Sequence, residues 1–120
     1  MSDKQQELIA QLKTRNIVVL GAGLTGLSCV RFLTDNQLCC RVNDNRPNII
    51  DETWFEQQYS TCQLVQGEWQ HQWLKEADVI LVSPGIDVVV EQLDQHIRPS
   101  VWLLAMLKCF VAYGIYPLLQ

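Results

Sequence analysis

The sequence predicts an α/β fold: a three-layer domain on a mostly parallel sheet of about four or five strands. Three observations predict it. Short apolar runs alternate along the chain with stretches of helical period, the order of parallel strands joined by crossover helices. The runs are apolar throughout, as strands covered on both faces are. A glycine-rich turn, Gly21-Ala22-Gly23-Leu24-Thr25-Gly26, joins one such run to a helical stretch. With 120 residues the chain fits one domain and is too short for a two-domain enzyme.

The elements follow in order. Residues 4–14 place Leu8, Ile9 and Leu12 at helical spacing. Asn16 to Leu20 is a β-branched apolar run and reads as a buried strand. Leu24 to Asp35 switches to helical period through Leu27, Val30, Phe32 and Leu33. Gln37 to Asn43 reads as a second strand, stopped by the turn-rich Asp44-Asn45-Arg46-Pro47. Asp51 to Tyr59 is weakly helical, with Asp51 as its cap. Cys62 to Val65 is a short strand, and Glu68 to Glu76 a helix with Trp69 and Trp73 as packing residues. Asp78 to Val82 is a further buried strand, ending in the turn Ser83-Pro84-Gly85-Ile86. Val88 to His96 is expected to be helical.

Composition narrows the function. A net charge of −4 argues against nucleic acid as partner, because such proteins carry a basic face. At 48% hydrophobic and 18% charged, the chain has the composition of a folded domain. The cysteines are Cys29, Cys39, Cys40, Cys62 and Cys109: an odd number without a C-x-x-C. The first 15 residues are polar and unlike a secretory leader. Reduced thiols in a cytoplasm are therefore expected, acting as inert packing groups. His71 and His96 read as surface residues, too far apart in sequence to suggest a metal site.

Three loops carry the functional signal. In the glycine turn the first glycine allows the tight bend, the second lets backbone approach a phosphate, and the third lets the helix pack on the strand. The helix N-terminus then favours an anion there. The plain alternative is a glycine turn that merely packs. Asp44 lies 18 residues beyond Gly26, where an acid accepts a ribose hydroxyl in dinucleotide enzymes. Asp44, Asn45 and Arg46 together offer an acceptor, an amide and a cation; the alternative is an Asx turn before Pro47. Ser83-Pro84-Gly85-Ile86 ends a strand and belongs on the same rim of an open sheet. A NAD- or FAD-binding module would need only the glycine loop and Asp44.

Asn16 to Leu33 resembles the start of the Mur ligases of bacterial peptidoglycan synthesis, in particular members that add D-glutamate. Asp44-Asn45-Arg46, Trp73 to Asp78 and Val82 to Ile86 fit the same family in order. The resemblance covers residues 16–98. It implies a three-domain cytoplasmic enzyme that uses ATP and magnesium to join D-glutamate to UDP-N-acetylmuramoyl-L-alanine through an acyl-phosphate. The N-terminal domain of such an enzyme is Rossmann-like and holds the uridine diphosphate end of the precursor. Carried over, Gly23, Leu24 and Thr25 meet the diphosphate. Asp44, Asn45 and Arg46 surround the uridine, and Ser83, Pro84 and Gly85 close over the nucleotide. The family usually has Thr where this chain has Asn45; a contact made by backbone survives that change. The Gly-Lys-Ser/Thr phosphate loop, carbamylated lysine and metal-binding acids of the family are not in this sequence, so the chain alone is expected not to catalyse.

Residues 101–120 read differently. Sixteen of these 20 are hydrophobic, and Lys108 is the single charge. Their length and apolarity raise a membrane span, and with it a small membrane-associated protein, against which Lys108 and Pro117 count. Val101 to Leu104 also suit a last strand. The family continues here with a strand and then Gly-Asp-Val/Ile-Glu-Leu/Met-Phe, which this chain lacks. Regrouping the permitted codons from the third base turns Leu104-Ala105-Met106-Leu107-Lys108-Cys109-Phe110 into Gly-Asp-Val-Glu-Met-Phe-Cys. The same shift turns residues 114–120 into His-Ile-Pro-Leu-Ile-Ala. The expectation is a frame shift near Ser100 and an early stop. Residues 1–100 are then the precursor-binding domain, and 101–120 an aberrant tail prone to self-association. The DNA tests this: the other frame has to encode Gly-Asp-Val-Glu.

Overall fold

The computed structural model describes residues 3–106. The readings that fall on residues 107–120, including most of the frame-shift signature and the membrane and self-association expectations, lie outside the described residues. The strands are β1 (Ile17–Leu20), β2 (Arg41–Asp44), β3 (Gln63–Gln66), β4 (Val79–Val82) and β5 (Trp102–Ala105). They form one five-stranded sheet in the order β3-β2-β1-β4-β5, and every pairing is parallel. The helices are α1 (Asp3–Leu12), α2 (Leu24–Asp35), α3 (Glu52–Gln58) and α4 (His71–Glu76). The predicted α/β class is the observed one.

Alternation along the central strands divides the core into two layers. Ile17 and Val19 of β1 join Ile9 and Leu12 of α1, Cys29, Val30 and Leu33 of α2, and Phe55 of α3. Val18 and Leu20 point the other way, toward Leu74 of α4, Ala77 and Leu93. All residues of β1 and β4 are buried, which explains why both runs are apolar throughout. Helix α2 buries Gly26, Cys29, Val30 and Leu33, one stripe at spacings of three and four. Asp51 caps α3, its carboxylate accepting from the Trp54 N–H at 2.9 Å. The start of the apolar tail completes the sheet. Leu104 pairs with Leu81, and the Met106 N–H donates to the Val82 carbonyl at 3.0 Å.

The stretch from Val88 to His96 departs from expectation. Asp87 starts a turn there, its carboxylate accepting from the N–H groups of Val89 and Val90 at 2.9 and 3.2 Å. The chain then leaves helical geometry at Gln92 (φ 59°) and makes only a 3-10 turn over Asp94–His96. Three successive valines, two of them exposed, are poor helix formers without packing to hold them. The histidines also differ from separate surface residues. The rings of His71 and His96 stack 3.9 Å apart at 11°, joining α4 to the 3-10 turn. Partial burial and the neighbouring His71 hold His96 below its ordinary pKa. Trp69 and Trp73 pack partly buried against the second core layer, although Trp69 precedes α4.

Candidate functional site

The strand order reverses between β1 and β4, so the loops leaving their carboxyl ends flank a crevice. The glycine turn follows β1, and Ser83 to Ile86 follows β4. Gly21 has φ 108° and donates its N–H to the Asn43 carbonyl at 2.8 Å. A Cβ there would lie 2.7 Å from the Cβ of Ser83. Both backbone angle and close approach therefore require glycine. A Cβ on Gly26 would collide with the Gly21 carbonyl, so this glycine sets how tightly α2 packs on the turn. Gly23 is different: nothing lies within 4 Å of the place its Cβ would take. Gly23 is the N-cap of α2, without a side-chain cap and with no acid in the first turn. The first-turn N–H groups lack partners within the helix and sit at its positive end.

Asp44 ends β2 beneath this turn. Its side chain is only 2% exposed. One carboxylate oxygen accepts from the Ala22 N–H at 2.9 Å and from the Arg46 guanidinium at 2.9 Å. The other accepts from the Arg46 N–H at 2.9 Å and the Arg46 Nε at 3.0 Å. Burial raises the pKa of this carboxyl, but the bonds from Arg46 and Ala22 outweigh it and hold the group below the usual carboxylate range. A carboxylate has about four acceptor positions, and the chain itself fills them. Asp44 is thus both an Asx-type turn and a latch on the glycine loop. The direct bond to a ribose hydroxyl, expected from spacing, has no vacant lone pair here. Arg46 stays 60% exposed.

Asp44, Asn45, Arg46, Ser83 and Gly85 line one cavity of about 330 Å³, together with Gly21, Ile86 and Glu91. Five of the nine residues predicted from sequence thus converge there. Gly23, Leu24, Thr25 and Pro84 are not in its wall; Leu24 is 89% exposed. Ser83 is fixed by its N–H to the Leu20 carbonyl at 3.0 Å and accepts from the Ile86 N–H at 3.0 Å. Glu91 was not foreseen. It faces Asn45, whose amide donates to it at 3.4 Å, and only the irregular path after Asp87 brings it there. Chemically, the rim offers an uncapped helix N-terminus, a guanidinium held by a buried acid, and amide and hydroxyl groups. That set suits an anionic ligand with a polar ring.

Residues 15–104 match the family described as Mur ligase MurD-like, N-terminal domain. The chain belongs to that family. The UDP-N-acetylmuramoylalanine–D-glutamate ligase of Colwellia psychrerythraea is 41% identical over 106 residues, covering 85% of this chain. The ligase of that name from Haemophilus influenzae is 30% identical, covering 88% of this chain. The chain spans only 22% and 24% of the lengths of these two relatives. Among solved structures, the precorrin-2 dehydrogenase SirC superposes with a TM-score of 0.60 at 17% identity, over 77% of this chain and 46% of its own. A formate dehydrogenase of Granulicella gives 0.57 at 14%, over 78% and 25%. At such identities these structures show the fold alone.

Proposed function

We propose that this chain holds the uridine nucleotide of UDP-N-acetylmuramoyl-L-alanine, as the N-terminal domain of a cytoplasmic ligase that adds D-glutamate in peptidoglycan synthesis. The observation that carries the reading is the convergence of three loops around one cavity at the sheet's reversal point, in a chain of this family. Gly23, Leu24 and Thr25 present first-turn N–H groups to the diphosphate. Asn45 and Arg46 meet the uridine, and Asp44 acts by holding Arg46 and the Ala22 amide in place. Ser83, Pro84 and Gly85 close over the nucleotide.

ATP and magnesium belong to the remainder of such an enzyme. The sequence has no Gly-Lys-Ser or Gly-Lys-Thr loop, and no group of three or more His, Cys, Asp or Glu gathers among the described residues. No chemical step is assigned to this chain; its work is binding and orientation. A nicotinamide or flavin module is not favoured, because the family match is to ligases and the dehydrogenase likeness is one of fold. Among the described residues, no helix is long and apolar enough to cross a membrane.

Calorimetric titration of the chain tests the reading. UDP-N-acetylmuramoyl-L-alanine is expected to bind one to one, with NADH and FAD giving no heat. Binding of NADH or FAD but not the UDP precursor by the folded chain would overturn it. Incubation with the precursor, ATP, magnesium and D-glutamate is expected to yield no product.

A further inference from the structure

At the opposite end of the sheet from the nucleotide rim, two cysteines precede neighbouring strands. Cys40 precedes β2 and Cys62 precedes β3. Arg41 pairs with Gln63, and the Gln63 N–H donates to the Cys40 carbonyl at 3.2 Å. Cys40 and Cys62 are therefore opposite each other and share a face of the sheet. Neighbouring strands run about 4.8 Å apart, inside the Cα separation of about 4.4–6.8 Å that a disulfide requires. The sulfurs are 3.6 Å apart. Both residues are nearly closed to solvent, at 5% and 8% exposure. Each nevertheless touches a surface cavity. Cys40 lines one of about 270 Å³ with Arg15, Arg41 and Thr61. Cys62 lines another of about 560 Å³ with Phe55 and Ser60.

The two thiols are unequal. Cys40 donates its S–H to the Cys62 sulfur, which pulls Cys62 down to about 6 against its burial. The same bond, with burial, pushes Cys40 well up. One sulfur is thus prepared as a nucleophile, and the other holds a proton beside it. Cys29 provides the contrast, since burial alone raises it to about 12. Cys39 is exposed, adjacent in sequence, and lines the same cavity as Cys40, so the test has to separate the two.

We propose that Cys40 and Cys62 form a dithiol that hydrogen peroxide oxidises reversibly to a disulfide, tying the edge strand β3 to β2. The oxidant is a peroxide because only a small molecule reaches sulfurs this enclosed. The Cys62 thiolate attacks one peroxide oxygen; the O–O bond breaks, hydroxide leaves, and Cys62 becomes a sulfenic acid. The Cys40 sulfur then attacks the Cys62 sulfur. The S–O bond breaks, and the hydroxyl leaves as water with the Cys40 proton. In all, two thiols lose two electrons and two protons, and peroxide becomes two waters.

The test treats the reduced 120-residue chain with hydrogen peroxide, alkylates the remaining thiols and maps tryptic peptides by mass spectrometry. The expected product joins peptides 32–41 and 42–75, lighter by two hydrogens than their sum and released by dithiothreitol. Cys29 remains alkylated. Because peptide 32–41 also contains Cys39, the map is repeated with Cys39→Ser, an exposed substitution. The link is expected to persist there and to vanish in Cys40→Ser. Complete alkylation of Cys40 and Cys62 at peroxide levels that oxidise Cys39 would overturn the proposal. So would loss of the link in Cys39→Ser.

Discussion

Gly23 and Gly26 stand in one turn, and the same substitution is expected to act on them in different ways. A methyl group on Gly26 meets the Gly21 carbonyl, a backbone atom that cannot step aside without moving β1 or α2. Gly26→Ala should cost roughly 1–3 kcal/mol or more through overpacking. On Gly23 the methyl group enters open space, at φ −76° where any residue is comfortable. Gly23→Ala should leave the urea midpoint close to wild type and yet weaken nucleotide binding severalfold, because the methyl occupies the approach of the diphosphate. Urea denaturation and calorimetric titration of both variants check this. A Gly23→Ala chain that binds the precursor as wild type does would remove the diphosphate from this turn. The glycine pattern itself was legible, since each role is local to the turn. The contact of Gly21 with Ser83 was not, because it depends on β4 lying beside β1. Nor was the Cys40–Cys62 pair, which depends on the register of β2 against β3.

The end of β2 works as a junction between elements. Asn43 and Asp44 are both about 1% exposed and project to opposite faces. The Asn43 amide donates to the carbonyls of Val65 and Glu68 and accepts from the Gln70 N–H at 2.7 Å, binding β2 to the path between β3 and α4. Asp44 binds β2 to the glycine turn and to Arg46. The folded-state pKa of Asp44 is depressed, so the unfolded chain takes up this proton first. The stabilisation is complete above the ordinary carboxylate pKa of about 4 and is lost as pH falls through the lower folded value. Asp44→Asn keeps the shape and removes the charge, and should cost roughly 1–3 kcal/mol at neutral pH. Its denaturation midpoint should also fall less steeply with acid than that of wild type. Parallel slopes in a urea series from neutral to about pH 3 would show that Asp44 carries no such linkage. The spacing from Gly26 put Asp44 at the end of the second strand, where it stands, but spacing does not show which donors fill its lone pairs. Element limits have the same character: α2 falls on its sequence-predicted residues, while the stretch after Asp87 kept a helical pattern of apolar residues without forming an α-helix.

At the scale of the molecule, the rim is built where β1, β2 and β4 end, on strands that form the core of the sheet, so a ligand held there is expected to stabilise the whole fold. Gly21 and Ser83 are hydrogen-bonded to β2 and β1; β1 supplies residues to both core layers, and β2 supplies Val42 to the first. A ligand that binds only the folded chain stabilises it by about 2.7 kcal/mol when present at 100 times its Kd. For a domain of this size that corresponds to a rise in Tm of roughly 10–20 °C. The UDP precursor should produce such a rise, NADH none, and added salt should diminish it as the diphosphate is screened. The variants divide the effect. Gly23→Ala should start near the wild-type Tm and gain little from the nucleotide. Asp44→Asn should start lower and lose part of the gain, because Arg46 is no longer held by a full charge. If the precursor shifts Gly23→Ala as far as wild type, the nucleotide lies elsewhere on the sheet. If NADH produces the rise instead, the Rossmann-like fold serves a dinucleotide.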